Sequence, residues 1–256
     1  MPSPTRVHYL GHATLLIELD GLRILTDPVL GDRVLHLRRR GPSGWAWYAR
    51  QPAPDLILLS HLHLDHLHLP SLQALPPTAP LVVPQGTAGW LRYLVSQPLI
   101  ELAPGESLRR GGVTVVATPA RHGSRWGRWL NALDVAQGYR IEGTHTIYFP
   151  GDTDLFPEMA AIGADGLDLA LLPVGGWGPT LGPGHLDPQR AALALNLLRP
   201  RLAVPIHWAT FRLPGKWWET RPAFSQPGPE FRRLAAQWAP QTTVHLLAPG
   251  ESLHIV

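Results

Sequence analysis

The densest group of histidines in the chain follows directly after a short apolar run, Leu56–Leu59, which predicts a buried strand. It reads His61-Leu-His-Leu-Asp-His-Leu-His68. In an extended chain His61 and His63 point the same way, and the next aspartate and histidine follow as the chain turns. Imidazole and carboxylate are ligands for zinc and its relatives, and three protein ligands per ion leave room for a reactive water. Packing so many histidines and an aspartate together is electrostatically unfavourable without a cation. The segment therefore predicts a metal centre.

Composition favours one large domain. The chain has 256 residues, of which 45% are hydrophobic and 16% charged, enough for a sizeable core in a single domain over residues 1–256. Its 28 prolines and 25 glycines are spread along the length, so no linker is predicted. Cysteine is absent, which excludes disulfides, thiolate metal sites and cysteine nucleophiles. Any metal must therefore be held by histidine and carboxylate.

The charge balance and the first residues bear on partners and location. Lys and Arg total 22 and Asp and Glu total 19, so the excess is three charges, which does not favour a nucleic-acid partner. No run reaches the roughly 18 apolar residues of a membrane span. Met1–Leu19 is interrupted by Arg6, His8, His12 and Glu18, so we expect no signal peptide and a cytoplasmic location.

Short strand-like runs outnumber helical segments, which predicts an α/β fold with two sheets flanked by helices. The clearest helix follows Asp187, a predicted N-cap, with Pro188 in its first turn, and ends before Pro200. Further helices are predicted over Thr87–Val95 and Glu230–Trp238.

One heptapeptide occurs twice, as Leu102-Ala-Pro-Gly-Glu-Ser-Leu108 and as Leu247-Ala-Pro-Gly-Glu-Ser-Leu253. Each copy lies between two strand-like runs, as the turn of a hairpin would. Reuse of a favourable turn and duplication of a half-domain both explain the echo. The period is too long and the match too short for a solenoid.

The HxHxDH pattern of His61, His63, Asp65 and His66 resembles the signature of the metallo-β-lactamase superfamily. That family has a further histidine, an aspartate and a final histidine after later strands. Here His122, Asp152 and His207 come in that order, each at the end of a strand-like run. The resemblance implies a four-layer αβ/βα sandwich.

The resemblance also implies a ligand set for two divalent ions. One set is His61, His63 and His122, the other is Asp65, His66 and His207, and Asp152 would bridge the two ions. Zinc is the expected metal, and Mn or Fe fit the same ligand types. A water between two such ions becomes a hydroxide near neutral pH, and Asp65 would accept or relay its proton.

Flanking motifs resemble one branch of the superfamily, which contains N-acyl-phosphatidylethanolamine-hydrolysing phospholipase D and ascorbate-6-phosphate lactonase. They are Leu10-Gly-His-Ala-Thr14, Leu25-Thr-Asp-Pro28, Gly184-His-Leu-Asp-Pro188 and Pro205-Ile-His-Trp208. The implied function is hydrolysis of an anionic, partly apolar ester, with a phosphodiester as the leading substrate class. A lactonase or another carboxylic ester or amide hydrolase is the alternative. A metal-dependent protein that binds a ligand or nucleic acid without turnover is the alternative from another class.

Further residues are expected around the ligands. His12 and Asp27 would lie beside the metal loop, with Asp27 accepting an N–H from a ligand imidazole. His185 would face the substrate and stabilise developing charge or protonate the leaving group. His68 exceeds the pattern and is not expected to be a ligand.

Arginine and tryptophan gather near the ligand positions, which suits an anionic small molecule or a lipid-like substrate. The candidates for substrate binding are Arg121, Arg125, Trp126, Trp177 and Trp208. The Arg-rich and aromatic segment between Pro28 and Pro54 is expected to border the site. Its run Arg38–Arg40 would suit peripheral contact with a membrane surface or a nucleic-acid backbone. The oligomeric state stays open.

Overall fold

The computed structural model describes residues 4–123, 135–176, 182–214 and 226–256, and its strands form two seven-stranded sheets and one three-stranded sheet. In spatial order the first sheet contains β17 (Ser252–Ile255), β1 (Thr5–Gly11), β2 (Thr14–Leu19), β3 (Leu22–Thr26), β6 (Leu56–Leu58), β7 (Leu81–Pro84) and β8 (Leu99–Leu102). The second contains β16 (Thr243–Val244), β14 (Pro200–Ile206), β13 (Leu167–Pro173), β12 (Thr146–Phe149), β11 (Gln137–Glu142), β10 (Val113–Pro119) and β9 (Ser107–Arg110). The small sheet contains β15 (Phe211–Arg212), β5 (Leu37–Arg39) and β4 (Arg33–Val34).

Strand β2 explains why the two large sheets stack. Its residues Leu15 and Ile17 pack into a core between the two sheets, whereas Leu16 packs on the outer face of the first sheet. Successive side chains of a strand point to opposite faces, so a strand with apolar residues on both faces must be covered on both sides. The inner core also takes Val115 and Ile141 from the second sheet.

Helices cover both outer faces. On the first sheet these are α1 (Gly44–Tyr48), α2 (Leu69–Ala74) and α3 (Ala88–Leu91), and on the second sheet they are α4 (Met159–Ile162), α5 (Pro188–Leu198) and α6 (Pro227–Trp238). The order of layers is helix, sheet, sheet, helix, so the predicted αβ/βα sandwich is confirmed. None of the helices in the described part of the chain is long and apolar enough to cross a membrane.

Two predicted helices are confirmed, and a third is shorter than predicted. The side chain of Asp187 accepts a hydrogen bond from the backbone N–H of Arg190 at 2.8 Å, which caps α5 as the sequence predicted. The prediction over Glu230–Trp238 falls inside α6. The prediction over Thr87–Val95 was wrong in extent, because regular α-helix covers only α3 and the amide of Leu94 bonds back three residues in a tighter turn.

The hairpin prediction for the repeated heptapeptide was also wrong. The first copy leaves edge strand β8 of the first sheet and enters edge strand β9 of the second, and the second copy leads from edge strand β16 back to edge strand β17. Both copies are therefore crossovers between the sheets. In the sequence each copy has a strand on either side, as a hairpin turn has, but the two strands are edge strands of different sheets.

The strand ends that matter for function meet at one edge. Strands β3, β6 and β7 are parallel neighbours in the first sheet, as are β12, β13 and β14 in the second. Strands β1 and β10 run the same way as β3 and β12, because two antiparallel pairings separate each from its counterpart. The loops that leave these strands carry most of the predicted site residues, as expected for α/β folds that bind ligands at the carboxyl ends of their strands.

Candidate metal centre

The loop after β6 presents its histidines to the site while two of its leucines are buried on the other side. Leu62 and Leu67 pack into the apolar cluster beneath α2. The backbone closes a turn in which the amide of His66 donates to the carbonyl of His63 at 2.9 Å. His61 and His66 are buried, and their rings face the same space between the two sheets, at the carboxyl ends of the strands.

A first cluster contains His61, His63 and His122. One ring nitrogen from each lies within 4.8 Å of the others, and Nε2 of His122 lies 3.0 Å from Nδ1 of His63. The other nitrogen of His122, Nδ1, donates to the carbonyl of Gly184 at 2.9 Å, so its Nε2 carries a lone pair. Nε2 of His61 is buried and has no hydrogen-bond partner in the described part of the chain. These converging lone pairs fit a cation.

A second cluster contains Asp65, His66 and His207. Nε2 of His66 lies 3.1 Å from Nε2 of His207, and Nε2 of His207 lies 3.6 Å from Oδ2 of Asp65. Each ring uses its Nδ1 elsewhere: His66 donates to Asp27 at 2.7 Å and His207 donates to the carbonyl of Gly175 at 2.7 Å. In the neutral form of each ring Nε2 therefore carries the lone pair, and a cation between the two Nε2 atoms would bind both.

Asp152 lies where the two clusters meet. Its carboxylate oxygens lie 3.4 Å from Nε2 of His66 and 3.3 Å from Nε2 of His207. The same side chain can share an ion with His122 and His185 on the other side. It is 3% exposed, and among the described residues its Oδ1 has no hydrogen-bond donor. A buried carboxylate oxygen without a donor is costly unless a cation accompanies it.

The pKa values of the histidines shift in different directions, depending on the charged groups nearby. Burial lowers the pKa of His61 well below its usual value and lowers the pKa of His63 to about 4. Burial also opposes protonation of His66, but the facing carboxylates of Asp152 and Asp27 outweigh it and raise its pKa. His61 and His63 are therefore neutral rings, the form that coordinates metals.

The carboxylates show the opposite balance. Burial alone would raise the pKa values of Asp65 and Asp152, but the surrounding imidazoles hold both well below the usual value. Both groups are ionised at neutral pH, so each brings a negative charge to the site. Such a site favours a divalent cation.

Asp27 orients the second cluster from below. It leaves the end of β3, is fully buried, and accepts hydrogen bonds from the backbone N–H of Ser60 at 2.7 Å and the Ser60 hydroxyl at 2.6 Å, besides that from His66. The expected N–H acceptor role of Asp27 agrees with this geometry. Ser60 also contacts Nδ1 of His61 at 2.9 Å, a role that the sequence analysis missed although Ser60 directly precedes the motif.

The other residues predicted to contact the substrate differ in where they lie. His185 is half-buried beside Asp152, with Nε2 3.6 Å from its Oδ2. Arg121 has a largely exposed guanidinium that contacts Glu158 at 3.3 Å. Trp208 packs against the outer cluster of the second sheet and donates its indole N–H to the carbonyl of Pro205 at 3.1 Å. Three candidates lie outside the described residues, namely Arg125, Trp126 and Trp177.

His68 lies in neither cluster. Its Nδ1 is 2.7 Å from the hydroxyl of Ser71 at the start of α2, and its ring lies against Gly31. That His68 is not a ligand stays a prediction, as do the ligand roles of the other side chains.

An αβ/βα sandwich with adjoining clusters of histidine and aspartate at the strand ends is typical of one class of metal-dependent hydrolases. The sequence pattern of the Beta-lactamase superfamily domain matches residues 22–208. The chain belongs to the metallo-β-lactamase superfamily, as the HxHxDH motif predicted.

Individual relatives support the same class. The chain is 33% identical over 258 residues to a metal-dependent hydrolase of Nitratidesulfovibrio vulgaris, covering 97% of this chain and 95% of that protein. It is 30% identical over 230 residues to N-acyl-phosphatidylethanolamine-hydrolyzing phospholipase D 1 of Caenorhabditis elegans, covering 79% of this chain and 63% of the worm protein. The crystal structure of Igni18, a metallo hydrolase of Ignicoccus hospitalis, superposes with a TM-score of 0.76 at 25% identity and 99% coverage of both chains. The protein is a metal-dependent hydrolase.

Proposed function

We propose that the protein holds two divalent cations, zinc in the first instance, and hydrolyses an anionic, partly apolar ester of the phosphodiester class. The observation that carries the proposal is the pair of adjoining clusters with Asp152 between them. Three side chains converge on each side, His61, His63 and His122 on one and Asp65, His66 and His207 on the other. Mn or Fe fits the same donors.

When bound, two such cations would lower the pKa of a water that serves as the nucleophile, and they would polarise the oxygen of the scissile group. The chain's own residues orient and complete the site. Asp27, Gly175 and Gly184 fix the tautomers of three imidazoles, so that each presents its Nε2 to the site. Asp65, ionised and 16% exposed at its side chain, is placed to accept the proton that the nucleophile loses.

His185 is the proposed contact to the reacting group. It is half-buried, its Nε2 lies 3.6 Å from Asp152, and its ring meets that of His122 edge-on at 4.6 Å. Nδ1 of His185 is buried and lacks a hydrogen-bond partner in the described part of the chain. A half-buried imidazole at the border of the two clusters can donate to a developing oxyanion or protonate the leaving group.

Two observations favour an anionic substrate with apolar parts. The exposed guanidinium of Arg121 lies on the residue before His122, and guanidinium groups recognise phosphate and carboxylate. The worm relative is named for hydrolysing a phospholipid, which is a phosphodiester with apolar chains. Substrate contacts by Arg125, Trp126, Trp177 and Trp208 belong to the same proposal.

The test is a substrate panel on protein reconstituted with zinc, manganese or iron. It contains a model phosphodiester and several lactones and uses His185→Ala. The matched control is His245→Ala, because His245 is a partly buried histidine that belongs to neither cluster. We expect metal-dependent turnover of the phosphodiester that falls at least tenfold in His185→Ala and is kept in the control. Turnover of lactones alone would replace the phosphodiester by a lactone. Full loading with two ions and no turnover on the panel would refute an esterase role and favour a binding protein.

A further inference from the structure

The turn between β1 and β2 carries a histidine with an unusual backbone. His12 adopts φ +58°, a left-handed conformation that a non-glycine residue adopts rarely, and its side chain is 1% exposed. Local strain of this kind persists only where surrounding contacts hold it. His12 therefore is fixed by neighbours that the strand pattern alone does not explain.

The first neighbour is Asp65. Nε2 of His12 lies 3.0 Å from Oδ2 of Asp65. A carboxylate oxygen accepts hydrogen bonds, so the proton lies on Nε2 of His12, which donates. A nitrogen that carries this hydrogen has no lone pair for a cation. His12 is consequently a hydrogen-bond donor to a candidate ligand and is not itself a ligand.

The second neighbour is His207. The rings of His12 and His207 lie 3.8 Å apart between centroids at an interplanar angle of 35°. The backbone N–H of His207 donates to the carbonyl of His12 at 2.8 Å, and His207 itself has φ +61°. The two strained residues thus hold each other through ring and backbone together.

Residues outside the site fix the turn. The hydroxyl of Thr210 accepts from the backbone N–H of His12 at 2.7 Å, and the guanidinium of Arg39 donates to the carbonyl of Leu10 at 2.9 Å. Arg39 also donates to the carbonyls of Gly31 and Val29 and lies over the ring of Phe211. The small sheet, which contains Arg39 and Phe211, is therefore anchored directly to the His12 turn.

We propose that His12 is a positioning residue that sets the second cluster alone, by orienting the Asp65 carboxylate through a hydrogen bond and the His207 ring through stacking. The first cluster has no contact with His12 in the described part of the chain. This inference rests on the proposed function, because it takes Asp65 and His207 to be ligands of the second cation. It predicts that a change at His12 weakens one cation and spares the other.

The experiment measures the two stepwise dissociation constants for zinc by competition with a chromophoric chelator. His63→Ala and His207→Ala identify which constant belongs to which cluster. His12→Phe keeps an aromatic ring for stacking and removes the donor, whereas His12→Gln offers an amide N–H in place of Nε2. His8→Phe is the matched control, since His8 is a buried histidine on β1, the strand before the His12 turn, and contacts Glu18 and Trp47.

We expect His12→Phe to weaken the second-cluster constant about 10–100-fold and to leave the first unchanged, the size seen when a hydrogen bond that orients a metal ligand is lost. His12→Gln should recover part of the loss, and His8→Phe should bind both ions like the wild type. Equal weakening of both constants, no change in either, or a Gln variant as weak as Phe would overturn the inference. Fewer than two ions on the wild type would instead refute the two-cation proposal. Thermal unfolding of the metal-free variants confirms that each is folded.

Discussion

Replacing Asp27 by asparagine tests whether the second cluster is organised by the tautomer of His66. Asn is isosteric, and its oxygen can still accept from the backbone N–H of Ser60. Its NH₂ group, however, stands where the Asp27 oxygen Oδ2 accepts from the Ser60 hydroxyl and from Nδ1 of His66. The serine hydroxyl can rotate to accept. The imidazole can relieve the N–H clash only by moving its proton to Nε2.

The expected magnitude follows from that proton. If His66 keeps its tautomer, two buried donors oppose each other, and metal-free folding is destabilised by about 1–3 kcal/mol. If the proton moves, Nε2 loses the lone pair that faces His207, and the second cation loses one ligand. Either way the dissociation constant of the second cation should rise about 10–100-fold, which corresponds to roughly 1.4–2.8 kcal/mol.

The assay is a zinc titration beside urea unfolding of the metal-free protein. Asp55→Asn is the matched control, because Asp55 accepts from Arg23 at 3.1 Å before β6, at the opposite end of the strand from the metal loop. The control should lose a little stability and no zinc affinity. If Asp27→Asn bound the second cation as tightly as the wild type, the tautomer reasoning would be refuted.

Two further predictions concern the backbone and pH. In urea unfolding, Gly151→Ala should lower the stability of the protein by about 1–3 kcal/mol more than Gly86→Ala. Both glycines have positive φ, but only a Cβ at Gly151 would collide with Ser60, within 2.6 Å of its hydroxyl oxygen. Equal losses of stability would contradict the clash. Burial, partly opposed by Glu18, lowers the pKa of His8 below 6.5, so the unfolded state binds more protons and wild-type stability falls as pH drops below about 6.5. His8→Phe should lack this part of the loss in metal-free urea midpoints from about pH 8 to about pH 5, and parallel profiles for the two proteins would show that His8 does not contribute.

Local signals in the sequence were sufficient wherever the cause is local. Asp187 caps α5 because its side chain reaches an amide three residues ahead, and the pattern N-cap then proline reports this directly. The grouping of ligand-type side chains in the His61 loop was predictable for the same reason, since they lie within a few consecutive residues, His61 to His66.

The convergence of distant residues was available only through the resemblance. Nothing near His122 or His207 indicates that their rings approach residues 59 and 141 positions away. Thr210 and Ser60 escaped notice because hydroxyl residues are common in loops, and their roles depend on partners 198 and 33 positions distant. Long-range placement of this kind is set by sheet order, which a single sequence does not encode in any local pattern.

The repeated heptapeptide supports an internal duplication. In both copies the glutamate side chain accepts from the alanine amide at 2.8 Å, and the glycine amide donates to a strand carbonyl, that of Ala117 in β10 for Gly105 and that of Tyr9 in β1 for Gly250. The copies also cross between the sheets in opposite directions. A favourable turn reused by chance would share the first contact but has no reason to share its docking strand and its crossover.

The strand pairings extend this correspondence to the metal centre. Reading each sheet from β17 and from β9, both show three antiparallel pairs followed by three parallel pairs. The loop after β3 then corresponds to the loop after β12, and each brings one buried aspartate to the site. Asp27 orients the ring of His66 through a hydrogen bond, whereas Asp152 stands between the clusters with an oxygen left unpaired among the described residues. Equivalent positions of the two halves have therefore taken different tasks, one supporting a candidate ligand and the other facing the proposed cations. This division explains why the site lies between the sheets and needs both.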